Sequence, residues 1–200
     1  MRDTPNSDPR PDADRFANVR GHAFVSVIKS LERLRGSATV RAVFAELPPP
    51  LADALRAGRL APEDWYPIAR YRELLSAIVT VAGEGRTLIH AIGVDCAVRD
   101  LSGTYRFFAR LLRPQTLFSG GMRLFKSYYD TGEVWVVAAS AGGAHALWKG
   151  CYGFDENMWV EVMGSCVAIL ELGGASHLDM RVVNGGGDSD AHLELKATWK

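Results

Sequence analysis

In the last third of the chain the apolar residues switch from alternation to a helical period and back again, and few folds accommodate that order. Alternation puts successive side chains on opposite faces of a strand, whereas recurrence at three and four puts them on one face of a helix. Residues 133–139 and 144–151 alternate around Ala141, Gly142 and Gly143, which predicts a β-hairpin whose glycines supply the positive φ of a tight turn. Residues 155–172 then place Trp159, Val162, Met163, Cys166, Ile169 and Leu170 on one stripe, with Glu161 off it and Gly173-Gly174 as the cap. That stripe is expected to lie against the sheet. Alternation returns in Leu178, Met180 and Val182 and again in Leu193, Leu195, Ala197 and Trp199, predicting a second antiparallel hairpin with one buried face. Its turn, residues 184–190, is long and rich in glycine.

Everything before residue 130 reads as helix or tail. Residues 1–20 carry Pro5, Pro9 and Pro11 among small polar residues and are expected to form a disordered tail, because they offer too little apolar surface to offset ordering. Phe24, Val27, Ile28, Leu31 and Leu34 mark a first helix that ends near Gly36. A second short helix holds Val40, Val43, Phe44 and Leu47 and stops at Pro48-Pro49-Pro50, where proline removes amide donors. Leu51, Ala54 and Leu55 make a third, closed by Gly58. Residues 65–68 are expected to open a longer helix through Tyr71, Leu74, Leu75, Ile78 and Val79. Further helices are expected over residues 86–100 and 101–112, and another starts at Pro114. The fold class is therefore α+β: an N-terminal helical layer packed on an antiparallel sheet made of two hairpins separated by a long helix. One domain covering residues 21–200 suits this length.

Several function classes are disfavoured by composition. Lys plus Arg and Asp plus Glu number 23 each, so no long-range field draws the chain to nucleic acid. No apolar run is long enough to span a bilayer and the N-terminus lacks the apolar core of a signal peptide, which leads to an expected cytoplasmic location. The three cysteines Cys96, Cys151 and Cys166 match neither a disulfide framework nor a zinc site and are expected to be reduced packing residues.

Catalytic motifs are equally scarce. Gly185-Gly186-Gly187 precedes a strand, so no helix N-terminus stands behind it to bind phosphate. Ser140 lies in a hairpin turn, which cannot present a nucleophile as a strand-to-helix elbow does. Of the five histidines only His177 and His192 are expected to approach each other, on facing strands of the last hairpin, and two imidazoles alone make no metal site. Tyr66, Tyr71 and Tyr105, with Arg106, are the candidate lining of a ligand pocket, because aromatic rings with polar tips serve both core and cavity. No catalytic residue, metal ligand or cofactor is expected.

The segments Trp65-Tyr66-Pro67, Leu101-Ser102-Gly103-Thr104-Tyr105-Arg106 and Tyr128-Tyr129-Asp130-Thr131-Gly132, with the closing Trp199, resemble a paralogous family of uncharacterised proteins abundant in myxobacteria. In its helix and final hairpin the C-terminal half is similar to vinyl-reductase-type small-molecule-binding domains and to the TRAPP-like and haem-nitric-oxide-binding groups. Those relatives often carry a cysteine pair on the final hairpin. Here residues near Val183 and His192 take the places, so the resemblance implies no thiol-based metal site. The haem-binding relatives use Tyr-x-Ser-x-Arg for the propionates, and the nearest segment here reads Tyr105-Arg106-Phe107-Phe108-Ala109-Arg110. The resemblance thus implies the fold without haem. The preferred expectation is a non-enzymatic regulatory or sensory domain binding a small apolar ligand or a partner protein. A homodimeric interaction scaffold without ligand is the alternative, and an enzyme of unknown type comes third.

Overall fold

The computed structural model of the chain describes residues 17–101 and 112–200, the side chains of residues 121–123 excepted. In chain order the described elements are β1 (Asn18–Arg20), α1 (Gly21–Glu46), α2 (Pro49–Arg56), β2 (Trp65–Pro67), α3 (Ile68–Ala82), α4 (Arg86–Asp100) and α5 (Pro114–Tyr128). They are followed by β3 (Glu133–Ser140), β4 (Gly143–Lys149), α6 (Glu156–Leu172), β5 (Asp179–Gly185) and β6 (His192–Thr198). The hairpins β3-β4 and β5-β6 join into one antiparallel sheet of order β3-β4-β6-β5. Helix α6 connects them. The molecule is α+β.

The sheet buries one face, as alternation requires. Trp148 pairs with Leu193, Ala146 with Leu195 and Ala144 with Ala197 across β4 and β6, and all six are buried. The outer strands β3 and β5 are mostly exposed. Asp155 starts α6 by accepting a hydrogen bond from the Met158 amide at 2.9 Å, an N-cap that satisfies one of the free donors of the first turn. Helix α6 is apolar around most of its circumference, and such a helix is enclosed on more than one side. It meets α4 so closely that a Cβ on Gly93 would lie 2.2 Å from the Glu161 carbonyl oxygen. A Cβ on Gly164 would lie 2.2 Å from the His90 carbonyl oxygen. Only glycine permits this approach of two helix backbones.

Several expectations are corrected by the coordinates. The last residues of the expected tail, 1–20, belong to the fold: Val19 is fully buried and pairs with Tyr66 in a two-stranded ribbon. Asn18 donates from its backbone to Asp130 Oδ1 at 2.6 Å and from its side chain to Oδ2 at 2.7 Å. Composition missed this strand because it turns just one apolar side chain inward. Trp65, Tyr66 and Pro67 form β2 rather than opening a helix, since the residue before proline is held extended and α3 starts at Ile68. The two helices expected on either side of Gly36 are borne out, since α1 is two helices meeting at a kink where Gly36 has φ 80° and ψ 165°. Gly142 and Gly143 are not among the positive-φ residues, and Gly143 instead lets β6 approach, a Cβ there lying 2.9 Å from the Ala197 carbonyl oxygen. His177 precedes β5, whereas His192 pairs with Lys149 at the far end of β6, so the two imidazoles do not face each other. The helix expected over residues 101–112 lies almost wholly outside the described residues.

Replacing Val19 by Ala is expected to cost about 2 kcal/mol through lost burial, measured by urea denaturation. No measurable loss would show β1 to be dispensable.

Candidate functional site

Between the helical layer and the sheet lies a cavity of about 500 Å³. Its floor is Trp148 of β4, with Val162, Cys166 and Ile169 of α6, and its sides are Cys96 and Ala97 of α4, Phe125 of α5 and Tyr129 just past its end. Arg20, His22, Pro62, Glu63 and Leu124 edge it where the chain is more exposed. The wall is mainly apolar and aromatic, with two carboxyl groups set into it, Asp100 at the end of α4 and Glu161 on α6.

Glu161 is the chemically unusual group. It is 7% exposed, and its Oε1 accepts a hydrogen bond from the Tyr71 hydroxyl at 2.7 Å. Its Oε2 is buried without a hydrogen-bond partner. Removing a carboxylate from water penalises its charged form. Burial accordingly pushes the Glu161 carboxyl up to about 7, against the pull of the Tyr71 hydrogen bond and with help from Asp100 and Asp155. Tyr71 is itself held well above the usual phenol range by burial and by the neighbouring Glu161. The sequence reading put Glu161 off the apolar stripe of α6, and it is off that stripe. Off the stripe it is buried all the same, because the flank carrying Glu161, Gly164 and Ala168 is buried. A row of small residues at helical spacing beside one carboxylate was the available clue.

Asp100 is a different kind of carboxylate. It accepts from the Tyr128 hydroxyl at 2.7 Å and from Ser26 Oγ at 3.1 and 3.2 Å, and His22 Nε2 stands 3.4 Å away. Both of its oxygens therefore have partners, unlike those of Glu161. Tyr128 is raised above the usual phenol range by burial and by Asp100. The thiols of Cys96 and Cys166 are pushed up to about 12 by burial, so both stay protonated and poor as nucleophiles or ligands. Trp148 Nε1 is a second buried atom without a partner.

The residues picked out from sequence fall around this cavity unequally. Tyr71 is fully buried, edge-on to Phe24 at 5.1 Å, and reaches the cavity through Glu161 rather than lining it. Tyr66 is half-buried, accepts from the Ala61 amide at 2.9 Å and packs edge-on to Phe24, away from the wall. Tyr105 and Arg106 lie outside the described residues. Glu161, Asp100, Tyr128 and Trp148 were not foreseen as site residues.

No protein-family model matches the chain, and no curated protein does. Solved structures do match. An Fe(II) unliganded H-NOX protein from K. algicida is 12% identical, with a TM-score of 0.67 over 90% of this chain and 96% of that one. An oxygen-binding H-NOX domain related to soluble guanylate cyclases is 12% identical, with a TM-score of 0.62 over 90% of this chain and 95% of that one. A Cs H-NOX variant gives 0.64 at 12% identity over 90% and 96%. The chain shares the H-NOX fold. This is the haem-nitric-oxide-binding branch of the resemblance drawn from sequence.

A haem needs an axial ligand and cations for its propionates. Among the described residues the one imidazole at the cavity is His22, 46% exposed at its edge and turned toward Asp100. Both wall thiols are protonated, and the charged groups set into the wall among the described residues are carboxyl groups rather than the cations that propionates need. Arg20 is engaged by the Glu63 carbonyl and stacks over Trp65 at 3.9 Å. The described donor set does not fit haem. Nor do any three or more His, Cys, Asp or Glu side chains among the described residues cluster to hold a metal ion.

Proposed function

We propose that the chain is a non-enzymatic sensory or regulatory domain whose input is a small ligand with an apolar body held in the cavity between the helices and the sheet. One observation carries the reading: a cavity of about 500 Å³ has a buried carboxyl group in its wall, with an oxygen that nothing among the described residues satisfies. Buried polar atoms are normally paired, and an orphaned one beside a cavity is a place for a ligand atom. The H-NOX fold supports the reading as fold analogy, since an oxygen-binding domain has the same architecture. The neutral thiols and the absence of a paired nucleophile and base among the described residues speak against an enzyme. The domain is taken as one unit over residues 21–200, extended to include β1, in the cytoplasm, with a myxobacterial, vinyl-reductase-type or TRAPP-like relationship a proposal of the same standing. The ligand-binding residues proposed are Glu161, Asp100, Tyr128 and Trp148, with Tyr71 positioning Glu161. For Tyr105 and Arg106 the role stays as proposed from sequence.

Native mass spectrometry of freshly purified protein tests the reading. A bound small molecule is expected on the wild type and not on Ala97→Phe, which fills the cavity. Bare homodimers of both proteins would favour the interaction scaffold instead.

A further inference from the structure

The proposal here rests on the reading of the cavity as a ligand site and specifies the ligand's charge. We propose that the cavity selects a small monocationic amine on an apolar body, with Glu161 and Asp100 as its counter-charges and the surrounding aromatic rings as its cage.

The distribution of charge carries the argument. Among the described residues, the ionisable groups set into the wall that can bear charge near neutral pH are acids, Glu161 and Asp100. The cations, Arg20 and His22, sit at the edge, where Arg20 is tied to the Glu63 carbonyl and His22 to Asp100. An anionic ligand would meet the buried Glu161 carboxyl, with its unpartnered oxygen, in a medium of low dielectric, which is strongly unfavourable. A neutral ligand would leave Glu161 as it is. A cation is the one class that gains from both carboxyl groups, through charge-assisted hydrogen bonds that are stronger than neutral ones. Phe125, Tyr128, Tyr129 and Trp148 add ring faces and edges of the kind that recognise ammonium groups.

Proton linkage gives the proposal a signature. An ammonium beside Glu161 favours the ionised carboxyl, so binding releases a proton and affinity rises with pH through about 7. The groups whose charge bears on Glu161 are Tyr71 on α3, Asp100 and Cys96 on α4, Tyr128 and Tyr129 on α5, and Asp155 at the head of α6. His22 faces Asp100 and can also repel an amine when protonated, so the variant below separates the two.

The test is isothermal calorimetry of the full chain with three probes of similar size, 2-phenylethylamine, 2-phenylethanol and 3-phenylpropionate. At about pH 8 the amine is expected to bind about tenfold or more tightly than the alcohol, the alcohol more tightly than the carboxylate. Lowering the pH to 5.5 should weaken the amine and not the alcohol. Glu161→Gln keeps the shape and an oxygen for Tyr71, and should remove most of both effects. Alcohol or carboxylate binding as tightly as the amine, or an amine preference that survives in Glu161→Gln, would overturn the proposal and leave the cavity reading standing. Failure of all three probes to bind would overturn both.

Discussion

Replacing Glu161 by Gln is expected to stabilise the protein at pH 8 and to leave its stability unchanged at pH 4. Burial raises the folded carboxyl from 4.5 to about 7, so between those values the native state holds a proton that the unfolded chain has released. Stability therefore falls as pH rises through that window and is lowest above it. The window of about 2.5 pH units corresponds to about 3 kcal/mol. Glutamine carries no charge at either pH and removes this cost. For a chain of this size the gain at pH 8 amounts to a melting temperature higher by on the order of 10 °C. Equal melting differences at both pH values would mean that Glu161 is solvated and ionised in the native state, and the electrostatic account of the cavity would fail.

Gly93→Ala and Gly164→Ala are expected each to destabilise the protein by about 1–3 kcal/mol, although alanine is the better helix former. Each new methyl would meet a backbone carbonyl oxygen of the facing helix at 2.2 Å, and backbone cannot move aside as a flexible side chain can. Gly120→Ala, in α5 with nothing within 4 Å, is the matched control and should gain up to about 1 kcal/mol. Urea denaturation of the three variants reads both signs. The consequence reaches the site, because separating α4 from α6 lets water reach Glu161, whose burial is what raises its carboxyl, and should lower its titration midpoint. A shared sign for all three substitutions would contradict the close helix contact.

The hairpins and α6 were legible because each has a face that water sees and a face that it does not, and period then reports orientation directly. Glu161 shows where that logic stops. It treats a helix as having one buried stripe, and α6 packs closely on α4 along a second flank, so a carboxylate off the stripe is still buried. The strands β1 and β2 escaped for a different reason. They are 3 residues each, shorter than any window in which alternation can be recognised, and they hold together by pairing with each other across the chain. The cavity was out of reach altogether, since its wall draws a few residues each from α1, α4, α5 and α6 and one from β4. Tyr71 was picked out as an aromatic with a polar tip, and its place behind Glu161 follows from that chemistry. Which group its hydroxyl would hold was decided by tertiary packing.

The central claim, that the cavity is a ligand site built around a protonated buried carboxyl group, is tested most directly by carbon-13 NMR of the glutamate carboxyl carbons, with Glu161→Gln to assign the resonance. The account predicts that the Glu161 carboxyl titrates at about 7 in the free protein and moves to lower pH when 2-phenylethylamine is added. A carboxyl that titrates near 4.5, or one whose midpoint the amine does not move, would contradict it.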